Sequence, residues 1–196
     1  MLEGQLAVAY GGGLHTKHRH MRYHDFFVNR IRTGERVLDI GCGIGAVAHA
    51  VAEKSNAEVV GIDMSKANIA VAHHRHSHPR VRYLVGNALQ DLPGERFDVV
   101  ILSNVLEHLS ERPAFLRRLQ EVVHPSRFLI RVPLFERDWR VPLKRELGVE
   151  WRLDSTHETE HTLDSFAEEM TAAKLRIIHQ EVRWGEIWAE GVPDAP

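Results

Sequence analysis

The hydrophobic pattern alternates between short apolar runs and segments whose apolar residues recur at helical spacing. Short runs of this kind, bounded by turn residues, predict strands. Five strands are expected, at Arg36–Ile40, Glu58–Ile62, Val81–Val85, Phe97–Leu102 and Phe128–Val132. The last two-thirds of the fourth run is continuously apolar, which is typical of a strand buried on both faces.

Between these strands the spacing of apolar residues changes to that of helices. Hydroxyl side chains that can cap a helix precede three of the segments. The helices are predicted at 18–33, at Ile44–Lys54, from Ser65 to His76, from Ser110 to Val123 and from Thr162 to Ala173.

The chain closes with two apolar segments, Leu175–Val182 and Ile187–Ala189, joined by a short turn. A connection this tight joins only antiparallel strands, whereas alternating strands and helices form a parallel sheet. The predicted fold is therefore α/β, a doubly wound Rossmann-like seven-stranded sheet, mostly parallel with one antiparallel strand near the C-terminus. We expect residues 1–33 to form an N-terminal segment with a cover helix, and residues 34–196 to form the main domain.

Composition narrows the function classes. The chain has 196 residues, 43% of them hydrophobic, with a net charge of −2, one cysteine and 14 histidines. This is ordinary for a globular domain, and near-neutral charge disfavours a general nucleic-acid binder. One cysteine excludes an internal disulfide. Because no signal peptide or long apolar run is visible, we expect a cytoplasmic protein without a membrane span.

A glycine-rich segment, Val37–Gly45 with the sequence VLDIGCGIG, follows the first predicted strand and opens a helix. Glycines let a backbone turn tightly and approach a ligand closely. Asp63 ends the second strand, where a carboxylate can accept hydrogen bonds from a ribose diol. A nicotinamide-dependent oxidoreductase is one alternative, but its fingerprint is GxGxxG rather than GxGxG. Asp39 would also repel a pyrophosphate.

At these residues the sequence resembles the class I S-adenosylmethionine-dependent methyltransferases. Four segments match the motifs of that family in order, namely Val37–Gly45, Gly61–Ser65, Gly86–Leu89 and Phe97–Leu109. The resemblance implies S-adenosyl-L-methionine as cofactor. It also implies cofactor-binding roles for Arg22, Asp39, Gly41, Cys42, Gly43, Gly45, Asp63, Met64, Asn87, Ala88, Leu89, Ser103 and Asn104.

The implied roles differ along the motifs. Asp39 would lie near the ammonium group of the cofactor, Asp63 would hold the ribose hydroxyls and Met64 would cover the adenine. Asn87 stands where relatives most often have aspartate, and its carbonyl oxygen can still accept from the adenine amino group. Arg22 would reach the cofactor carboxylate, on spacing alone.

One segment raises the question of a metal. Asn104–His108 resembles the part of ubiquinone-biosynthesis O-methyltransferases that carries E-x-x-E-H and binds a divalent cation. Asn104 replaces the first carboxylate, so we interpret Glu107 and His108 as a structural helix entry and predict no metal site. The run His73–His78 is interpreted as a solvated helix end.

Residues 133–160 interrupt the alternation where this family inserts substrate-recognition elements, so we expect a substrate-side lid. Its arginines could bind an anionic substrate or pair with its own carboxylates. His157, His161 and His108 are the candidate catalytic bases. His157 and His161 lie four residues apart and would share one face of a helix. The predicted activity is methyl transfer to a small molecule or a glycan or lipid precursor, with oxygen favoured, by a monomer or homodimer. The alternative is a non-catalytic methyltransferase-like protein that binds the cofactor.

Overall fold

A computed structural model describes residues 6, 9–11, 20–152 and 154–194. Seven strands form one sheet, and all seven lie where the hydrophobic pattern predicts them. Their bounds are β1 Arg36–Ile40, β2 Glu58–Asp63, β3 Val81–Val85, β4 Val99–Ser103, β5 Arg127–Pro133, β6 Leu175–Arg183 and β7 Glu186–Pro193.

Six α-helices accompany the sheet in the described part of the chain, excluding isolated helical residues near the N-terminus. Their bounds are α1 Tyr23–Val28, α2 Ala46–Ser55, α3 Lys66–Arg75, α4 Arg112–Val123, α5 Arg140–Glu146 and α6 Leu163–Ala172. The helix expected over 18–33 is shorter than predicted, and residues 12–19 lie outside the described residues.

Two of the three predicted helix caps are present in the structure. The Ser65 hydroxyl accepts from the backbone N–H of Asn68, and Thr162 and Ser165 form a capping box. The Ser110 cap was predicted wrongly, because α4 begins one residue later, after Glu111, without a side-chain cap. Pro113 lies in the first turn of that helix, where the missing N–H costs no hydrogen bond.

The strand order is β3-β2-β1-β4-β5-β7-β6. Strands β1 to β5 pair in parallel, while β7 runs antiparallel to both β5 and β6. This confirms the predicted doubly wound sheet with a reversed strand near the C-terminus. The order reverses direction between β1 and β4, so the connections that leave these two strands pass to opposite faces.

Helices cover both faces of the sheet and divide the core in two. On one face α1, α2 and α3 bury Phe27, Val51 and Ile69 against β1 and β2. On the other face α4 and α6 bury Leu119 and Phe166. The central strands are therefore covered on both sides, as their continuous apolar runs require.

The connection from β5 to α6 returns to the place where it starts. It contains the short 3₁₀ helix Phe135–Arg137 and α5, and then runs without further helix to α6. Leu134 forms a parallel bridge with His161, whose carbonyl accepts from Phe135 N at 2.7 Å. This closure keeps residues 135–160 beside the carboxyl end of β5. In the described residues no helix combines the length and apolarity that crossing a bilayer requires.

The packing of α6 can be tested by truncating Phe166, which is fully buried. We expect Phe166→Ala to lower the free energy of unfolding by about 3–5 kcal/mol, because it removes buried apolar surface and leaves a cavity. Glu168→Ala, at an exposed position of the same helix, is the matched control and should change it by less than about 0.5 kcal/mol. Urea unfolding measures both, and equal effects would contradict this account of the core.

Candidate functional site

A cavity of about 440 Å³ opens at the carboxyl ends of the parallel strands, beside the reversal of strand order. Ligands bind at this position in open α/β sheets. Its walls come from the ends of β1, β2 and β4, from the segment after β3 and from the start of α4. The lining residues are Ile40, Gly41, Ile62, Asp63, Met64, Gly86, Asn87, Ala88, Leu89, Asn104, Val105, His108, Leu109 and Phe115.

The glycine loop after β1 is shaped by close contact with the segment after β4. Gly41 has φ +66°, and a Cβ atom there would lie 2.7 Å from Cγ2 of Val105. Both the backbone angle and the missing space therefore require glycine. Of the predicted loop residues, Gly41 lines the cavity.

The carboxylate of Asp63 ties the loop to the next strand and helix. Its Oδ2 accepts from the Gly43 N–H at 2.9 Å, and its Oδ1 accepts from Ser65 N at 2.9 Å and Asn68 Nδ2 at 3.2 Å. Carboxylate oxygens have further lone pairs. Asp63 can therefore hold the loop and still accept hydrogen bonds from a ligand in the cavity.

The neighbouring wall is apolar and open. Met64 is 74% exposed and Leu89 is 45% exposed, so two apolar side chains of the cavity wall are open to solvent. Asn87 Oδ1 already accepts from Leu89 N at 3.0 Å. One lone pair of this oxygen stays available for the amino group that the sequence analysis assigns to it.

Several predicted cofactor residues do not line the cavity, namely Arg22, Asp39, Cys42, Gly43, Gly45 and Ser103. Arg22 is three-quarters exposed and pairs with Asp25 at 2.7 Å. Cys42 is buried, with Sγ close enough to exclude a Cβ at Gly61. Gly43 and Gly45 shape the loop backbone with φ of +54° and +83°.

Asp39 is buried under the glycine loop, and its Oδ2 has no hydrogen-bond partner among the described residues. Burial raises the pKa of this carboxyl to about 7. A hydrogen bond from the Ala48 backbone opposes the shift, and the nearby charge of Asp63 adds to it. A cationic group placed beside Asp39 would relieve this cost.

At the other end of the cavity the segment after β4 presents Asn104 and His108. Asn104 is held from β5, because Arg131 Nε donates to its Oδ1 at 3.1 Å. The exposed imidazole of His108 meets the buried ring of His157 edge-on, with centroids 4.8 Å apart. Two of the three predicted catalytic histidines are thus in contact.

His157 is oriented by two further side chains. Its Nδ1 lies 3.0 Å from Glu160 Oε1, and the fully buried Glu160 carboxylate pairs with Arg137. Because a carboxylate only accepts, the proton is assigned to Nδ1 and the Nε2 lone pair is left free. Arg137 comes from the 3₁₀ helix after β5, so the segment 133–160 contributes directly to this site.

Glu107, next to His108, is fully buried, and neither carboxylate oxygen has a hydrogen-bond partner among the described residues. Burial raises its pKa to about 8, although its own backbone N–H and, to a smaller extent, the charge of Arg131 oppose the shift. Donor atoms of Glu107, His108 and His157 lie within 4.8 Å of one another, and these donor types suit a divalent cation. No local spacing in the sequence relates these donors, because His157 is 50 residues from Glu107.

His161 lies elsewhere. It is fully buried, its Nε2 is 3.1 Å from Glu169 Oε2, and Glu169 also binds Arg112. Residues 157–161 are not helical, so His157 and His161 do not share a helical face as their spacing suggested. The structure buries His161 against Glu169 and Phe166 of α6, and neither of these contacts involves the other two histidines.

Sequence reasoning also missed apolar residues that line the cavity. Ile40 is the last residue of β1, and Ile62 is the last residue but one of β2. Val105 and Leu109 lie in the segment after β4. Their position at strand ends is a usable signal, because the cavity forms there. Phe115 has no such signal, since on α4 it is indistinguishable by pattern from core residues.

Comparison with known proteins gives one family and consistent relatives. A family model described as a methyltransferase domain matches residues 37–126. A ubiquinone biosynthesis O-methyltransferase of Rhodopseudomonas palustris (strain BisB5) is 34% identical over 136 residues, covering 68% of this chain and 53% of the relative. One of Azorhizobium caulinodans is 42% identical over 111 residues, covering 55% and 43%. The chain spans about half the length of these curated relatives.

Solved structures share the fold at low identity. A chain from the complex between the Haloferax volcanii Trm112 methyltransferase activator and the putative methyltransferase has a TM-score of 0.74 at 17% identity, covering 98% of this chain and 97% of that one. The magnesium protoporphyrin IX methyltransferase of Synechocystis, solved with bound SAH, has a TM-score of 0.70 at 18% identity. The matched region covers 89% of this chain and 84% of the Synechocystis chain.

The buried state of Asp39 predicts a pH dependence. Because its pKa is raised from 3.8 to about 7 in the folded state, the folded form keeps a proton that the unfolded form loses as the pH rises through this window. The stability of the ligand-free wild type should therefore fall relative to Asp39→Asn, by about 3 kcal/mol between pH 4 and 7. Urea unfolding of both proteins across this range measures the difference. A constant gap between the two curves would contradict the prediction.

Proposed function

Because the chain carries a class I S-adenosylmethionine-dependent methyltransferase domain, we propose that it transfers the methyl group of S-adenosylmethionine to an oxygen atom of a small molecule. The observation that carries this proposal is the cavity itself. It joins the glycine loop and Asp63 at one end to an imidazole at the other. The names of the relatives, ubiquinone biosynthesis O-methyltransferases, support oxygen as the acceptor.

In the proposed complex the cofactor lies along the strand ends. Asp63 accepts from the ribose hydroxyls, and Met64, Ala88 and Leu89 contact the adenine. Gly41 allows the backbone to approach the methionine part. The buried carboxylate of Asp39 beneath the loop attracts its ammonium group, although a contact with Asp39 requires the ligand to reach below the cavity wall.

The methyl acceptor would enter beside Asn104 and His108. Transfer from a sulfonium is an in-line displacement, so the enzyme must align the acceptor oxygen and exclude water. As the acceptor oxygen attacks the methyl carbon and the sulfonium leaves as a neutral thioether, a free Nε2 of the His108–His157 pair accepts the hydroxyl proton. The position of this pair next to the cofactor cavity makes it a better candidate than the buried His161.

The charged residues of segment 133–160 bear on the substrate class. Arg137, Arg140 and Arg152 pair with Glu160, Asp138 and Glu150 inside the same segment. Arg145 instead stacks over the rings of Phe135 and Trp151, at 5.4 and 5.3 Å. This internal pairing supports an uncharged hydroxyl acceptor over a phosphorylated one.

The role of segment 133–160 as a substrate-side lid, a glycan or lipid precursor as the acceptor and the cytoplasmic location of the protein stay predictions.

The experiment is an acceptor screen with S-adenosylmethionine labelled in its methyl group. Hydroxylated aromatics, sugars and lipid head groups are the panels, and mass spectrometry locates the added methyl. The proposal expects product methylated on oxygen. If calorimetry shows cofactor binding but no panel gives product, with or without copurifying partners, the proposed enzymatic activity is wrong. The chain is then the non-catalytic cofactor-binding protein of the alternative hypothesis.

Cofactor binding should depend on Asp63. We expect Asp63→Ala to weaken S-adenosylmethionine binding about tenfold or more, because it removes an acceptor and releases the glycine loop at Gly43. Glu121→Ala, at an exposed position of α4, is the control and should bind as the wild type does. Isothermal titration calorimetry measures both, and unchanged affinity of Asp63→Ala would remove this residue from the proposed site.

The histidine pair should affect turnover rather than cofactor binding. Once the screen has identified the acceptor, His108→Asn and His157→Asn should each lower kcat about a hundredfold or more. Each variant removes an imidazole of the pair that accepts the proton of the acceptor hydroxyl. The affinity for S-adenosylmethionine should change little. His179→Asn, half-exposed on β6, is the control. Full activity of both variants would exclude the pair from the reaction.

A further inference from the structure

The three donors at the end of the cavity come from two separate parts of the chain. Glu107 and His108 belong to the 3₁₀ helix Leu106–His108 that follows β4. His157 comes from the non-helical segment before α6, and backbone hydrogen bonds from Glu158 N and Thr159 N to the Glu107 carbonyl hold that segment in place. The cluster is thus fixed by main-chain contacts on both sides.

The surroundings of the two imidazoles leave the same nitrogen free on each. His157 Nδ1 faces Glu160, and His108 Nδ1 lies 3.2 Å from the carbonyl and 3.1 Å from the hydroxyl of Thr156. That hydroxyl donates to Asp154, so it accepts from His108. Both Nδ1 atoms therefore carry protons, and both Nε2 atoms keep a lone pair. A carboxylate or carbonyl on the second nitrogen is the usual support of a metal-binding histidine.

The buried carboxylate of Glu107 points to a bound cation independently of the two imidazoles. A fully buried carboxyl without a hydrogen-bond partner is costly, and such groups are normally paired or bound to a metal. The charge of Arg131 acts on Glu107, but its side chain donates to Asn104 Oδ1 and pairs with Glu186. Within the described residues, neither oxygen of Glu107 receives a hydrogen bond from another side chain.

We propose that Glu107, His108 and His157 together bind one divalent transition-metal ion. The ubiquinone-biosynthesis segment that the sequence resembles has two carboxylates and one histidine, whereas here Asn104 has replaced the first carboxylate. His157 takes the third position. Two imidazoles and one carboxylate favour Zn²⁺, Co²⁺ or Ni²⁺ over the hard cations Mg²⁺ and Ca²⁺.

Three protein ligands would leave positions open toward the cavity that His108 lines. A bound ion would occupy both Nε2 atoms, so in the loaded enzyme Lewis-acid polarisation of the acceptor hydroxyl, with its proton released to solvent, would replace proton abstraction by the imidazoles. This role rests on the proposed function, whereas binding of the ion depends only on the three side chains. Glu160 acts as a positioning residue, because it fixes the His157 ring without reaching the donors itself.

The test uses untagged full-length protein, stripped with a chelator and titrated with Co²⁺, whose visible absorption reports the ligand set. We expect one Co²⁺ per chain, displaced by Zn²⁺ and not by a large excess of Mg²⁺. Glu107→Gln and His157→Asn should each weaken binding about tenfold or more. Glu160→Gln should weaken it less, as a supporting residue does.

The matched control is the double variant His73→Asn and His74→Asn, which removes exposed histidines of the surface run. It should leave the Co²⁺ spectrum and stoichiometry unchanged. S-adenosylmethionine titration of every variant verifies that it is folded, and because this readout needs no acceptor, failure of the metal proposal is distinguished from failure of methyl transfer. No Co²⁺ bound, binding lost only in the surface variant, or displacement by Mg²⁺ at the concentration where Zn²⁺ acts would each overturn the proposal.

Discussion

The reversal of strand order between β1 and β4 is the constraint on which the site depends. Connections from these adjacent strands leave toward opposite faces, so a crevice opens between them. The two connections nevertheless touch at its base, where Gly41 lies against Val105 with no room for a side chain. The glycine motif is thus required by the segment after β4 as well as by the ligand. A motif usually described for one loop is therefore a property of two.

A second set of contacts brings the segment after β5 to the same crevice. The Leu134–His161 bridge closes the segment at its base, and Arg137 reaches inward to Glu160. Gly185, in the turn between β6 and β7, allows the close approach of Arg137, since a Cβ there would lie 2.6 Å from that of Arg137. The antiparallel pair at the C-terminus thus supports the part of the chain that carries His157.

The fold could be predicted from the sequence because its information is local. Each strand is a short apolar run. Ser65 and Thr162 mark the starts of their helices, because each side chain caps a backbone N–H three residues later. The cofactor motifs are local as well, and Gly41, Asp63 and Asn87 do line the cavity. Prediction failed where a residue had a choice of partner. Arg22 pairs with Asp25, only three residues away, instead of reaching the cavity, and nothing local shows that the Asp63 carboxylate already holds Gly43 N.

The histidines show the same limit most clearly. His157 and His161 are four residues apart in a segment rich in charge, which suggested one helical face and one catalytic role. In the structure each is bound by a different carboxylate, Glu160 for His157 and Glu169 for His161. Glu169 belongs to α6 and draws His161 into the core, while Glu160 is anchored by Arg137 and turns His157 toward β4. The chemistry of each imidazole is therefore decided by which carboxylate the backbone path brings to it. For His157 that path ends beside Glu107, a buried acid whose carboxylate oxygens have no hydrogen-bond partner in the described chain.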